Sequence, residues 1–137
     1  MQPATQPRYF YGTGKRKSAI AKVRIYPTEG GPGAILVNNK PMEEYFNWLP
    51  WQSIITQPFR ATETGSKFRV VAVVLGGGVH AQAEAIRHGI SKALVVSDQA
   101  FRPGLRKQGL LTRDSRIKES KKYGLRRARR AHQYTKR

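Results

Sequence analysis

The chain has 137 residues and a formal net charge of +18, from 26 Lys and Arg against 8 Asp and Glu. Its length fits one domain of about 100–150 residues, and 39% of the residues are apolar, which allows a core. The sequence contains no cysteine, so disulfides, thiolate metal sites and a cysteine nucleophile are excluded. No apolar run approaches the about 18–20 residues that span a bilayer, and residues 1–7 lack the apolar stretch of a secretory signal. These features predict a small soluble protein with no membrane association, whose partner is a polyanion.

The positive charge is concentrated towards the C-terminal end. Residues 1–101 hold 12 Lys and Arg against 6 acidic residues, whereas residues 102–137 hold 14 against 2. The apolar side chains of the second segment are too sparse for a core of their own, and its self-repulsion opposes independent folding. The sequence therefore predicts a folded domain over residues 1–101 and a basic extension over residues 102–137 that becomes ordered on a polyanion. The alternative is a solvated tail or a nuclear-import signal.

The first part of the chain has the patterns of strands. Residues 8–12 are rich in aromatic side chains and predict a short strand. Residues 18–26 alternate between an apolar side and a basic side, which predicts a half-buried strand. Residues 27–33 predict a loop rich in Gly and Pro. Residues 34–37 predict a short strand that forms a hairpin with the strand over 18–26.

Two short helices are predicted next. Residues 38–40 predict a turn, because Asn tolerates the left-handed backbone that such turns use. Pro41 suits the first turn of a short helix over residues 42–46. A second helix is predicted over residues 51–59, ending near Pro58.

A strand–glycine–helix unit follows. Residues 68–75 predict a central strand that is apolar on both faces, and residues 79–96 have the spacing of a helix. Bare amides at a helix N-terminus attract phosphate, but the glycines at 76–78 match no nucleotide-binding fingerprint. We favour the interpretation that they allow a sharp turn and close packing, with RNA-backbone contact left open. The element order predicts an α+β fold, a small mixed sheet packed with helices.

Two segments suit phosphate binding. Residues 12–18 are predicted to form a short basic loop that leads into the basic side of the next strand, and clustered Lys and Arg grip phosphates well. In the basic extension, Tyr123 and Tyr134 stand among cations, where they either stack on bases or anchor the tail to protein. The three histidines lack metal-ligand spacing, and no catalytic constellation stands out. We therefore predict no catalytic site, no metal and no cofactor.

Motifs along nearly the whole chain occur in a characteristic order. They are residues 11–24 (YGTGKRKSAIAKVR), 40–46 (KPMEEYF), 76–90 (GGGVHAQAEAIRHGI), 111–116 (LTRDSR) and 121–130 (KKYGLRRARR). In this order they resemble the bacterial form of the ribosomal small-subunit protein nine family, and the segment over 76–90 is the most specific.

The resemblance implies a fold and a role that charge alone does not. The fold would resemble the second domain of ribosomal protein five, with a left-handed β-α-β crossover, which is unusual, plus a long basic C-terminal extension. The role would be that of a non-enzymatic structural protein in the head of the small subunit, bound to ribosomal RNA and to neighbouring head proteins, with no small-molecule substrate. The tip of the tail would reach the peptidyl-site tRNA. The expected location is the ribosome, in the cytoplasm or in an organelle with its own ribosomes.

The charge pattern and the resemblance together name the expected binding residues. The cations expected to bind ribosomal RNA are Lys15, Arg16, Lys17, Lys22, Arg24, Arg106, Lys107, Arg113, Arg116, Lys118, Lys121, Lys122, Arg126, Arg127, Arg129 and Arg130. Lys136 and Arg137 are expected to contact tRNA phosphates.

Other function classes fit parts of the sequence. A DNA-compacting architectural protein fits the charge equally well, and would bind duplex DNA without associating with ribosomes. A small nucleotide-dependent enzyme is motivated by the triple glycine alone, and would require saturable nucleotide binding. A membrane-active cationic peptide fits less well, because the tail lacks a sustained apolar face.

Overall fold

The structure is a computed structural model that describes residues 9–27, 34–64 and 67–113. Its strands are β1 (Phe10–Arg16), β2 (Ala19–Pro27), β3 (Ile35–Val37), β4 (Lys40–Pro41) and β5 (Phe68–Leu75). Its helices are α1 (Met42–Tyr45), α2 (Leu49–Thr62), α3 (Val79–Ser97) and α4 (Arg102–Lys107), with a 3₁₀ turn over Gln99–Phe101. The α+β class predicted from the sequence is confirmed. The predicted loop over residues 27–33 lies outside the described residues after Pro27.

The five strands form one mixed sheet in the order β1-β2-β5-β3-β4. All neighbours are antiparallel except β3 and β5, which run parallel. The predicted hairpin between residues 34–37 and β2 is wrong, because β2 pairs with β1 on one side and β5 on the other. The chain crosses from β3 to β5 through α1 and α2, as a parallel pair requires. The left-handedness that the resemblance implies for the crossover stays a prediction.

Strand β1 is longer than the sequence indicated. Residues 12–16 belong to this strand and are not part of a basic loop, and the turn to β2 contains only Lys17 and Ser18. Lys17 carries the left-handed backbone of that turn, with φ of 54°. The glycines at 12 and 14, which suggest a flexible loop, instead lie opposite Val23 and Ala21 in a regular ladder.

The glycines of β1 let α3 lie directly on the strand. An added Cβ at Gly14 would stand 1.7 Å from the carbonyl oxygen of Ala85, and one at Gly12 would stand 2.2 Å from that of Gly89. Gly89 in turn faces Val23, whose Cγ2 would be 2.6 Å from an added Cβ. Helix and strand therefore touch through backbone where side chains would normally separate them.

The core lies between the sheet and α3. The predicted alternation of β2 is confirmed, since Ala19, Ala21, Val23 and Ile25 are all 0% exposed. From the helix side, α3 supplies a buried stripe that includes Ile86, Ile90 and Leu94. Burying one such aliphatic side chain contributes about 1.5–3 kcal/mol, so this layer holds the helix in place.

Helix α2 continues past the predicted end near Pro58 and stops at Thr62. Pro58 cannot donate a backbone hydrogen bond and normally disfavours a helix interior. Here its ring is buried together with Ile55 and Phe59, and this packing outweighs the lost bond. The helix ends where Glu63 adopts a left-handed φ of 55°.

Strand β5 is central in the sheet, as predicted, but it is buried on one face only. Val70, Ala72 and Val74 are at most 2% exposed, whereas Val73 and Leu75 are 46% and 65% exposed. The apolar side chains on the second face of β5 are therefore not explained by burial within the described residues.

The glycines after β5 make a turn into α3, which confirms the interpretation favoured from the sequence. Gly76 and Gly77 have φ of 75° and 67°, a region that residues with a Cβ rarely adopt. An added Cβ at Gly77 would also lie 2.8 Å from Cβ of Ala19.

Asn38 does more than form the predicted turn. Asn38 and Asn39 have the expected left-handed φ of 50° and 68°. In addition, the Asn38 side chain accepts from the Val74 amide at 2.9 Å and donates to the Val74 carbonyl at 3.1 Å. It thereby takes the place of a strand residue at the end of the parallel ladder between β3 and β5.

The folded part continues beyond residue 101. Leu105 on α4 is 0% exposed and Leu110 is 4% exposed, and both belong to the hydrophobic core. Leu105 and Leu110 of the predicted extension therefore pack on the domain. The division into a domain over residues 1–101 and a basic extension over residues 102–137 stays a prediction.

Candidate nucleic-acid interface

One face of the sheet is turned away from α3, and we call it the open face. It carries the alternate side chains of β1, β2 and β5 that do not enter the core. Four of them are cations, each exposed: Lys15, Lys22, Arg24 and Arg69. None of these three strands contains an acidic residue. The open face therefore presents positive charge without a compensating carboxylate in its own strands.

Two arginines and two tyrosines form a stack at one end of the open face, which we call the Arg–Tyr ladder. The guanidinium carbon of Arg24 lies 5.1 Å from the ring centroid of Tyr9, and that of Arg69 lies 4.9 Å from the centroid of Tyr26. The two rings are 5.6 Å apart. Stacking of this kind favours one orientation of the guanidinium plane, in which the edge of the group is able to donate hydrogen bonds.

The other end of the open face combines apolar side chains with Lys15 and Lys22. Ile20 pairs with Leu75 in the ladder between β2 and β5, and Val73 pairs with Lys22. Ile20 is 42% exposed. A surface that combines cations, aromatic rings and apolar patches can bind phosphates and still contact sugars or bases.

The residues predicted to bind RNA are divided between two sides of the domain. Lys15, Lys22 and Arg24 lie on the open face, and Lys17 is exposed in the turn beside it. Arg16 lies on the opposite side of β1, where its Nε donates to the Glu84 carboxylate on α3 and its side chain is 12% exposed. Binding of RNA by any of these residues stays a prediction.

The predicted residues of the basic extension are described only at its start. Arg106 and Lys107 are exposed on α4, and Arg113 is exposed at the last described position. The remaining predicted residues lie outside the described part of the chain, and they are Arg116, Lys118, Lys121, Lys122, Arg126, Arg127, Arg129, Arg130, Lys136 and Arg137.

His88 joins β1, α3 and the start of the extension. Its Nδ1 accepts from the Lys15 backbone amide at 3.4 Å, and its Nε2 lies 3.2 Å from the Leu111 carbonyl. The neutral imidazole with a proton on Nε2 satisfies both groups. Burial, and then the nearby charge of Lys92, lower the pKa of His88, and Arg113 and Arg87 act in the same direction. The imidazole is therefore held neutral and serves as a structural link.

Tyr9 and Arg69 belong to the Arg–Tyr ladder, but the sequence patterns do not single them out. The alternation of residues 18–26 places Tyr26 beside Arg24 on the outer side. The partners Tyr9 and Arg69 become visible only through the strand register, in which Arg69 stands opposite Tyr26. The only signal in the sequence is the break that Arg69 makes in an otherwise apolar strand.

The described residues hold neither a metal-binding cluster nor a membrane-spanning helix. No group of three or more His, Asp or Glu side chains within residues 9–27, 34–64 and 67–113 is arranged to hold a metal ion. Among the helices of this same part of the chain, none has both the length and the apolar character needed to cross a membrane.

The family model described as ribosomal protein S9/S16 matches residues 14–137. The match begins within β1 and includes every later element as well as the basic extension.

Proposed function

Because this chain belongs to the ribosomal protein S9/S16 family, we propose that its open face docks on ribosomal RNA and that its C-terminal tip contacts the peptidyl-site tRNA. Family membership makes it a structural protein of the ribosome that associates with the small subunit and its RNA, in the cytoplasm or in an organelle. It also favours this role over a DNA-compacting protein or a nucleotide-dependent enzyme.

The observation that carries the docking proposal is the set of cations on the open face. Lys22 and Arg24 project from β2 beside Lys15 and Arg69, and no carboxylate on these strands competes with a phosphate for them. Each cation that neutralises a phosphate releases condensed counterions, which favours binding at low salt. The Arg–Tyr ladder adds rigidity, because its arginines are oriented before RNA arrives.

We expect the double variant Lys22→Gln and Arg24→Gln to bind small-subunit ribosomal RNA more weakly and with less salt dependence. Loss of two phosphate contacts makes the slope of log K against log salt less negative by about 1.5. The measurement is filter binding of the full chain over a series of KCl concentrations. The matched control is Lys40→Gln with Arg60→Gln, which removes the same charge from exposed positions on β4 and α2.

If the control lowers the slope as much as the Lys22 and Arg24 variant does, net charge rather than the open face determines binding, and the docking proposal is wrong. Thermal unfolding of both variants checks that they keep the fold. Exposed substitutions of this kind usually change stability by no more than about 0.5 kcal/mol.

The proposed tRNA contact rests on Lys136 and Arg137 at the end of the chain. Deleting both residues is expected to weaken tRNA retention in the peptidyl site several-fold while subunit assembly proceeds normally, because only two phosphate contacts are lost. The measurement is tRNA dissociation from reconstituted subunits, with Lys136→Arg and Arg137→Lys together as a control that keeps charge and length. Unchanged retention in the truncated protein contradicts this part of the proposal.

A further inference from the structure

A groove opens where α3, the 3₁₀ turn, α4 and the first residues after α4 meet. Its volume is about 520 Å³, which is within the range of small-ligand sites. It lies at the root of the basic extension and uses none of the open-face residues. No motif in the sequence pointed to it, because its lining residues, which lie between positions 92 and 112, meet only through the packing of α3, the 3₁₀ turn and α4.

The rim of the groove is strongly cationic. Lys92 on α3 and Arg102 and Arg106 on α4 line it, and no acidic residue is among the lining side chains. All three are exposed, and no ion pair involves them within residues 9–27, 34–64 and 67–113. Arg102 and Arg106 stand four residues apart on one helix, where like charges repel. An anion bound between them would relieve that repulsion.

The floor of the groove is apolar. Val95 and Val96 contribute from α3, and Leu111 contributes from the segment after α4. Val96 is 59% exposed, so an aliphatic side chain is accessible next to the cations. The wall formed by Leu111 is held in position, because its carbonyl oxygen lies 3.2 Å from Nε2 of His88. Gln99 and Thr112 add polar groups at the edge.

We propose that this groove takes one unpaired nucleotide of the ribosomal RNA. The phosphate lies among Lys92, Arg102 and Arg106, and the base or ribose lies on Val96. An apolar floor beside a cationic rim suits the two halves of a nucleotide, whereas an inorganic anion would leave the floor unused. Single-stranded RNA offers such splayed bases. The inference rests on the proposed function, since it requires that the chain binds ribosomal RNA.

The first test measures phosphate contact. Lys92→Gln with Arg102→Gln in the full chain is expected to make the salt slope for small-subunit ribosomal RNA less negative by about 0.7–0.9, because one phosphate contact is lost. The control is again Lys40→Gln with Arg60→Gln, which removes one Lys and one Arg elsewhere. If the groove variant and the control have the same salt slope, the proposal is overturned. Weaker RNA binding by the Lys22 and Arg24 variant in the same series would show that the open face still docks on RNA.

The second test identifies the occupant. A photoreactive benzoylphenylalanine replaces Val96 in the full chain, the protein is assembled into small subunits, and the products of irradiation are mapped. Cross-linking to one unpaired nucleotide supports the proposal. Cross-linking to residues 114–137 of this chain, or to a neighbouring protein, overturns it and names the actual occupant. If the wild-type chain does not bind ribosomal RNA, both this inference and the proposed function fail together.

Discussion

Gly14→Ala is expected to destabilise the protein by about 3 kcal/mol, because the new methyl group cannot be accommodated. Its Cβ would lie 1.7 Å from the carbonyl oxygen of Ala85 and 2.4 Å from the amide nitrogen of Gly89, both backbone atoms of α3. Backbone cannot rotate aside as a side chain can, so the helix must move off the sheet. Thermal unfolding of the full chain should show a midpoint lower by about 10 °C or more.

Gly104→Ala is the matched control for this change. An added Cβ at Gly104 would have the Ala61 carbonyl oxygen at 3.9 Å as its nearest contact, which is an ordinary separation. Gly104 lies in α4, and Ala is a better helix former than Gly by about 1 kcal/mol. The control should therefore be neutral or stabilising. Equal loss of stability in the two variants would show that contact between α3 and β1 is not the reason.

His88→Leu is expected to cost about 2 kcal/mol at neutral pH, because it leaves the Lys15 amide and the Leu111 carbonyl without their side-chain partner. Leu fills a similar volume, so the cost comes from hydrogen bonding and not from a cavity. Chemical denaturation of the full chain at pH 7.5 measures it. A stability equal to that of the wild type would show that His88 does not link β1 to the segment after α4.

The same residue should make the wild-type protein sensitive to acid. The pKa of His88 is lowered from its usual 6.5 in the folded state. Below about pH 6.5 the unfolded chain therefore binds a proton that the folded chain resists, and stability falls as the pH falls. Denaturation at pH 7.5 and 5.5 should show this loss in the wild type and a smaller loss in His88→Leu. Equal losses in the two proteins would assign the acid sensitivity to other groups.

The periodicity of apolar residues was sufficient to predict a helix or strand that buries one face against one neighbouring layer. The alternation of residues 18–26 and the spacing of residues 79–96 each report burial directly, and both predicted elements occur in the structure. The positions of the Asn turn and of the glycine turn were also correct. In these places the backbone conformation depends on the local residue types.

Features that depend on contacts between distant parts of the chain were harder to predict from the sequence. The partner of β3 is decided by a crossover through α1 and α2, which the local pattern does not reveal, and the predicted hairpin with the preceding strand was therefore wrong. The sequence around Gly12 and Gly14, with its neighbouring Lys and Arg, is typical of a flexible loop. Glycine in a strand, however, also marks a place where another backbone approaches closely. That second reading requires knowledge of α3, which comes 65 residues after Gly14. The Arg–Tyr ladder likewise exists only through the register of three strands.

The open face has a consequence for the protein before it meets RNA. Its end away from the Arg–Tyr ladder exposes Ile20, Val73 and Leu75 side by side, which would favour self-association in a neutral protein. Two copies that approach through this face also bring together their lysines and arginines, and each chain carries a net charge of +18. Charge of that size acts as a colloidal stabiliser. The cations that suit the face to a polyanion thus also keep unassembled copies apart until the polyanion neutralises them.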